Sequence, residues 1–545
     1  MKILVLQIAT DADFLLSVPA FNALKRQGEV HLLVTPHLRE IAGMIAGVHL
    51  HIINEEDPAP KSLIPLLLPI KQMNFDRVIN LTCSALTSVM TEILSSPGAQ
   101  VSGYTRHADG HLHIPDDASA YRHAQVGRGR HNQYHMADVY AAIAGVELED
   151  RDFDLDASRA ATREKRILVH LQGRAPGELW SHVVQDIEAW NSHEVHLIGL
   201  NDQRGLADAI SLLAPGVRNR VGSLCAAQLW KELTAAELVL SAPDPKEDLV
   251  IAMSSLAQTP VLWLGTEASE IFERGPLSVG SRAICTPRLL DLSPQRVVGE
   301  AQALLCAERP LGPCAERVSL CKPYLLRGWE LNDSPWKLVE AMYTGTPYPP
   351  LPGLEDKLAL QRVFEIADLA LEQLDRWKDS RHKSSLVGIL ASVDELLTEV
   401  CARNTYAAIV IRWFETQRLR LPPADADATL ACTRQLFEEL LWVAAVYRDF
   451  ADPASEAKQA SDLCVSCAAR LREHELADVQ PEFQTLLSKL HELARHSTKV
   501  AGQSWSSVLK TLNSAMERQD FIEVADQLEH VLAPALGQDS ADETC

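Results

Sequence analysis

The sequence predicts an α/β protein: two domains, each built on a doubly wound parallel sheet, followed by an all-α region. Three observations carry this. Short apolar, β-rich runs alternate with helical spacing up to about residue 350. An acidic stretch, Glu147 to Asp156, divides that part in two, and Thr346-Pro-Tyr-Pro-Pro-Leu-Pro352 closes it. Beyond it the strand signals vanish and long helical patterns take over. The expected domains are residues 1–160, 161–350 and 355–545.

In the first domain, Lys2-Ile-Leu-Val-Leu-Gln7 reads as a central parallel strand, because an apolar run without alternation is buried on both faces. Two acids, Asp11 and Asp13, interrupt the apolar start, so Met1 to Ala20 reads as strand and turn rather than as a secretory leader. Leu15 to Lys25 has helical spacing, with Pro19 in its first turns, where a missing N–H costs least. Val30 to Val34 and Arg77 to Leu81 are further strands. In the second domain, Arg166 to His170, Glu194 to Gly199, Leu238 to Ser241 and Pro260 to Gly265 are strand-like. Leu179 to Trp190 and Ala226 to Ala236 are helical. The third region predicts helices over Glu355–Lys378, Ser385–Arg403, Tyr406–Arg418, Asp427–Phe450, Ala454–Glu473, Val479–His496 and Trp505–Leu532. No repeat of fixed period marks a solenoid.

Composition sets limits on function. The 545 residues carry 51 Lys and Arg against 73 Asp and Glu, a net charge of −22, which argues against general nucleic-acid binding. No apolar run is long enough to predict a membrane span, and peripheral membrane contact stays open. The 11 cysteines are odd in number and scattered, which suits a reducing cytoplasm better than a disulfide framework. Cys464-Val-Ser-Cys467 sits in a helical pattern without a second pair, so it predicts a packed helix face. There is no GxGxxG after the first strand and no GxxxxGK[ST], which removes dinucleotide oxidoreductases and P-loop NTPases from the leading readings.

The first βα turn, Gln7-Ile-Ala-Thr-Asp-Ala-Asp13, is the most informative place. A carboxylate there stands at the carboxyl edge of the sheet, where open α/β folds bind ligands, and can take a proton from a hydroxyl. It can equally serve as a helix cap. Histidines gather at His107, His111, His113, His123, His131 and His135. His111 and His113 share one face of a strand-like stretch, without the further ligand a metal site needs. Contact with a substrate and a polar surface loop both remain open for them.

The order of these features resembles glycosyltransferase family 9, the heptosyltransferase-like enzymes, over about residues 1–300. Met1 to Leu24 matches the family's strand, acid and Pro-Ala with Asp13 and Pro19-Ala20. Asp76-Arg-Val-Ile-Asn-Leu81, Ser102-Gly103 and Arg130 to Gly145 follow in family order. So do Ile167 to Trp180, Val195 to Gly199, Val221-Gly222 to Leu240, and Thr259-Pro-Val-Leu-Trp-Leu-Gly265-Thr266 with Arg274-Gly-Pro276.

The resemblance implies a GT-B fold, two Rossmann-like domains facing a cleft, with transfer of a heptose-like or hexose sugar from a nucleotide diphosphate donor. No metal or other cofactor is implied. Asp13 inherits the catalytic base. The donor is expected near Arg174, Gly199, Lys246, Asp248, Gly265 and Thr266, and the acceptor near Asp11, His111 and His113. The acceptor is expected to be a hydroxyl on a cell-surface glycan or protein.

Departures from the family pattern fall on charge stabilisation. Ala12 replaces the Gly before the catalytic acid, and Glu178 stands where a Lys is expected. Pro243-Asp-Pro-Lys-Glu-Asp248 lacks the family's Gly, and Ile251-Ala252 replaces a His. The alternative reading is therefore a catalytically degenerate GT-B scaffold whose helical C-terminal domain binds a protein partner.

Overall fold

The computed structural model describes residues 1–53, 60–107, 110–126, 132, 134–155, 163–173, 175–242, 249–266, 273–286, 288–306, 334–344, 348–351, 353–380, 385–421, 426–448, 453–472, 479, 482–483, 486–487, 490, 499–500, 503–518 and 520–538. The chain forms two units: Met1–Trp336 with Arg412–Thr433, and Lys337–Ile411 with Arg434–Cys545.

The first unit holds both sheets. Strands β1 (Lys2–Leu6), β2 (Glu29–Val34), β3 (Val48–Ile52), β4 (Arg77–Asn80) and β5 (Gln100–Gly103) pair in parallel in the order β3-β2-β1-β4-β5. A short antiparallel ribbon, β6 (Thr105–Arg106) and β7 (Leu112–His113), follows. The second sheet comprises β8 (Arg166–Gly173), β9 (Glu194–Ile198), β10 (Arg218–Asn219), β11 (Leu238–Ala242), β12 (Val261–Gly265) and β13 (Arg282–Cys285). Its order is β10-β9-β8-β11-β12-β13, again all parallel. In both sheets the strand order reverses beside the first strand, at β1/β4 and at β8/β11. The crevice above such a reversal is where these folds take ligands.

The central strands are continuous apolar runs because helices cover both faces. Ile3 to Leu6 and Leu238 to Ala242 are wholly buried, the polar Ser241 included. Trp180 and Trp263 are the largest buried side chains of the second domain, each contributing about 2–3 kcal/mol by removal from water.

The helix expected over Leu15–Lys25 is two helices, α1 (Asp11–Leu16) and α2 (Val18–Lys25). Pro19 has no N–H for the Leu15 carbonyl. The Ser17 hydroxyl instead donates to Phe14 O at 2.6 Å, and the chain restarts with Pro in its first turn. Gly103 ends β5 at φ +87°, and a Cβ there would lie 2.0 Å from the Asn80 carbonyl oxygen.

Arg412–Thr433, expected within the helical region, is part of the first unit. Leu419 O accepts from Ile114 N at 3.0 Å and from the His113 ring at 3.1 Å, Leu421 O from the His107 ring at 3.0 Å, and Arg420 pairs with Asp117.

Beyond residue 350 the helices are Leu354–Ser380, Ser385–Arg403, Thr405–Arg418, Ala426–Arg448 and Pro453–Arg472, close to their expected spans. The stretch Val479–His496 lies mostly outside the described residues. The single helix expected over Trp505–Leu532 is broken. Trp505–Glu517 stops, and the Asp520 side chain accepts from Glu523 N at 3.1 Å to start Phe521–Asp526. That helix widens into a π turn over Gln527–Leu532 and closes with Ala533–Gln538. Cys464 and Cys467 are buried in the second unit's core. Burial pushes their thiols up to about 12 and about 11, so they act as small apolar groups. Among the described residues no helix is long and apolar enough to cross a membrane.

Candidate active site

Gln7, buried at the end of β1, organises the first reversal point. Its amide nitrogen donates to Asp13 O and Ser17 Oγ, both at 3.2 Å, and its oxygen accepts from Thr82 Oγ1 at 3.1 Å. Thr82 Oγ1 also accepts from Ile8 N at 2.8 Å, which ties the β1 turn to the end of β4. Thr10 caps α1, its hydroxyl oxygen accepting from Asp13 N at 3.3 Å. Asp11 and Asp13 therefore both ride on the first turn of one short helix.

The two acids have different surroundings. Asp13 Oδ1 lies 2.7 Å from Arg274 Nη1, an ion pair joining the first sheet's domain to the second's, with side chains 16% and 20% exposed. Arg274 Nε is also 3.4 Å from Glu273. Burial alone would weaken the guanidinium's hold on its proton, but Asp13 and Glu273 outweigh it and hold Arg274 above its ordinary value. A second cation, the half-buried Arg122, also acts on Asp13. Arg122 donates to Leu81 O and lies 4.9 Å over the Tyr140 ring. Burial pushes that phenol up to about 12, keeping it neutral.

Beside this pair, His135 caps the helix Met136–Ile143 by accepting from Ala137 N at 3.1 Å. Its other ring nitrogen therefore donates to Gly275 O at 3.0 Å. Burial pulls His135 down to about 4, so it is neutral at physiological pH.

Asp11 instead faces a cavity of about 340 Å³ between the two domains of this unit. The first domain contributes Thr10, Asp11, Ala12 and His37. The second contributes His170 from the second half of β8 and Ile198 to Leu200 at the end of β9. It also contributes the first turns of the helices Ala226–Ala235 and Leu249–Leu256. Asp11 Oδ1 is buried with no hydrogen-bond partner. Burial raises the Asp11 carboxyl above its ordinary value; His37 opposes the shift and Glu40 adds to it. His170 is buried and shares a hydrogen bond of 2.9 Å with Ser241 Oγ on the neighbouring strand.

Of the residues singled out from the sequence, Asp11 and Gly199 line this cavity. Asp13 is next to it, on Arg274. Gly265 and Thr266, at the end of β12, do not line it, nor do His111 and His113. The His113 ring is turned instead onto the Leu419 carbonyl. Arg174, Lys246, Asp248 and His131 lie outside the described residues. Glu178, the misplaced acid, is exposed on its helix and is no part of the wall.

Sequence reasoning quoted Arg274-Gly-Pro276 without giving Arg274 a role, and it missed His37 and His170. A polar residue following an apolar central run, as His170 follows Ile167-Leu-Val, was the available signal.

No protein-family model matches the chain, and no curated protein matches it. Among solved structures it is similar to the E. coli ADP-heptose lipopolysaccharide heptosyltransferase II, at 16% identity over 56% of this chain and 98% of that one, with a TM-score of 0.40. It is similar to the E. coli heptosyltransferase WaaC with ADP, at 14% identity over 56% of this chain and 100% of that one, TM-score 0.43. It is also similar to a glycosyltransferase family 9 protein from Veillonella parvula DSM 2008, at 13% identity over 56% and 97%, TM-score 0.41. The strand orders observed here are those of the expected fold class, two Rossmann-like parallel-sheet domains of GT-B type with a helical region after them.

Proposed function

We propose that the chain is a glycosyltransferase that moves a sugar from a nucleotide diphosphate donor to a hydroxyl. The observation that carries this is the cavity at the carboxyl end of β1, facing the second sheet's domain, with an unpartnered carboxylate oxygen of Asp11 on one wall and two helix N-termini on the other. Helix N-termini favour the negative charge that a departing diphosphate develops. Arg174 and Lys246 remain the expected cations for that charge.

In this reading Asp13 takes the proton from the acceptor hydroxyl. The acceptor oxygen then forms its bond to the anomeric carbon as the bond from that carbon to the diphosphate oxygen breaks, with inversion. The Arg274 guanidinium, 2.7 Å from Asp13 Oδ1, fixes the direction of that carboxylate. His135 holds the loop that carries Arg274 through the Gly275 carbonyl. The acceptor we favour is a glycan or protein of the cell surface, reached in the cytoplasm.

Calorimetry with a panel of purine and pyrimidine nucleoside diphosphate sugars tests the reading. Binding is expected, with Asp13→Asn retaining binding and losing turnover. No binding by any member at millimolar concentration overturns it. The scaffold reading then stands, favoured by the ion pair that Asp13 makes with Arg274.

A further inference from the structure

A cluster of imidazoles at the opposite end of the first sheet has no part in the proposed transfer. β2 and β3 run parallel with His31 paired to His49. Side chains two apart on a strand share a face, so Glu29 and His31 on β2 stand beside His49 and His51 on β3. Glu29 Oε1 lies 3.2 Å from His31 Nε2 and 3.2 Å from His49 Nε2. One ligand atom from each of the three residues falls within 4.8 Å of the others. Donor atoms around a tetrahedral zinc bonded at about 2.0–2.2 Å are roughly 3.3–3.6 Å apart, so the set needs little adjustment to close on one ion.

The buried member is also held in place. His31 is 2% exposed in its side chain. Its Nδ1 shares a 2.9 Å hydrogen bond with His51 Nε2, and Phe75 meets its ring edge-on at 5.1 Å. A ligating histidine whose other ring nitrogen is fixed by a hydrogen bond is the usual outer-shell arrangement of a metal site. Glu29 and His49 are 44% and 60% exposed in their side chains, which leaves the site open to entry from water and a position free for a water ligand. Lys2, on β1 opposite Glu29, is a nearby cation that acts on His31.

We propose that Glu29, His31 and His49, with His51 behind them, form a binding site for a divalent transition metal ion of the zinc class. Imidazole nitrogens with one carboxylate suit zinc, nickel, copper and cobalt, and do not suit magnesium or calcium. The ion would fasten the edge strand β3 to β2, far from the carboxyl ends where the cavity lies. The competing arrangement uses protons alone, with both Nε2 atoms donating to Glu29.

The full chain, stripped with a chelator, distinguishes the two. Titration with cobalt(II), read by its visible absorption, and with zinc, read by calorimetry, is expected to show one ion per chain and a raised Tm. His49→Ala and Glu29→Gln, both at exposed positions, are expected to abolish the cobalt bands while the metal-free Tm stays put. His51→Phe is expected to weaken zinc about 10–100-fold. No uptake of either metal overturns the proposal. So does uptake that survives unchanged in both His49→Ala and Glu29→Gln, since the ion would then sit elsewhere.

Discussion

Replacing Arg274 by Met keeps much of the side chain's bulk and removes its charge. At 2.7 Å, the Asp13–Arg274 attraction is about 6 kcal/mol for an effective dielectric of about 20. Withdrawing both ions from water cancels much of that, so the pair's net contribution to folding is small. The single substitution has a larger effect, because it leaves Asp13 mostly buried without its partner, a loss of about 3–5 kcal/mol in fully buried pairs. Here Asp13 keeps 16% exposure and the field of Arg122, which lowers the expectation to about 2–3 kcal/mol. Urea unfolding of the first unit's transition is the assay, run as a cycle with Asp13→Asn. Asp13→Asn should rescue most of the Arg274→Met loss, since no buried charge is then stranded. A loss below about 0.5 kcal/mol, or no rescue, would refute the ion pair as the link between these two domains.

Three further outcomes are expected. His135 is held at about 4 when folded against about 6.5 unfolded, so its contribution is complete above pH 6.5 and is lost as pH falls towards 4. The loss is about 3 kcal/mol over that window, and His135→Gln should show a flatter stability profile there when unfolding is followed at several pH values. Cys225 is an exposed free thiol in the cavity wall, so a bound nucleotide diphosphate should slow its alkylation, measured by mass spectrometry, while leaving Cys83 unchanged. Gly103→Ala meets both a positive φ and the Asn80 carbonyl, and should cost more than about 2 kcal/mol in urea unfolding.

The central strands were legible because burial on both faces leaves an unbroken apolar run, as in Ile3 to Leu6 and Val261 to Leu264. Edge strands carry no such mark. β3 reads Val-His-Leu-His-Ile, half polar, and β10 is two exposed residues, so neither was named. Long amphipathic helices such as Ser385–Arg403 were read to the residue, whereas the break at Ser17 depended on one hydroxyl and one proline acting together. In the site, position was legible and pairing was not. A carboxylate after the first strand is visible in sequence, but its partner Arg274 is 261 residues away, and only the folded chain decides that Asp11, rather than Asp13, lines the cavity. For His111 and His113 the sequence leaves substrate contact and a polar surface loop both open, and the resemblance places them near the acceptor. The Leu419 carbonyl that His113 meets comes from a return of the chain that no spacing announces.

That return has a practical bearing on how the protein is dissected. Residues 412–433 complete the hydrogen bonding of β7 and pair with Asp117, yet they are encoded between two stretches of the helical unit. A stop codon placed in the Pro-rich stretch near residue 350 would therefore not yield the complete sheet-bearing unit. It would strip a supporting strap from beneath the ribbon and leave the Ile114 amide and two imidazoles unanswered. Any shortened version meant to isolate the sheet-bearing half has to splice this strap back in, through a designed linker or as a separately supplied peptide.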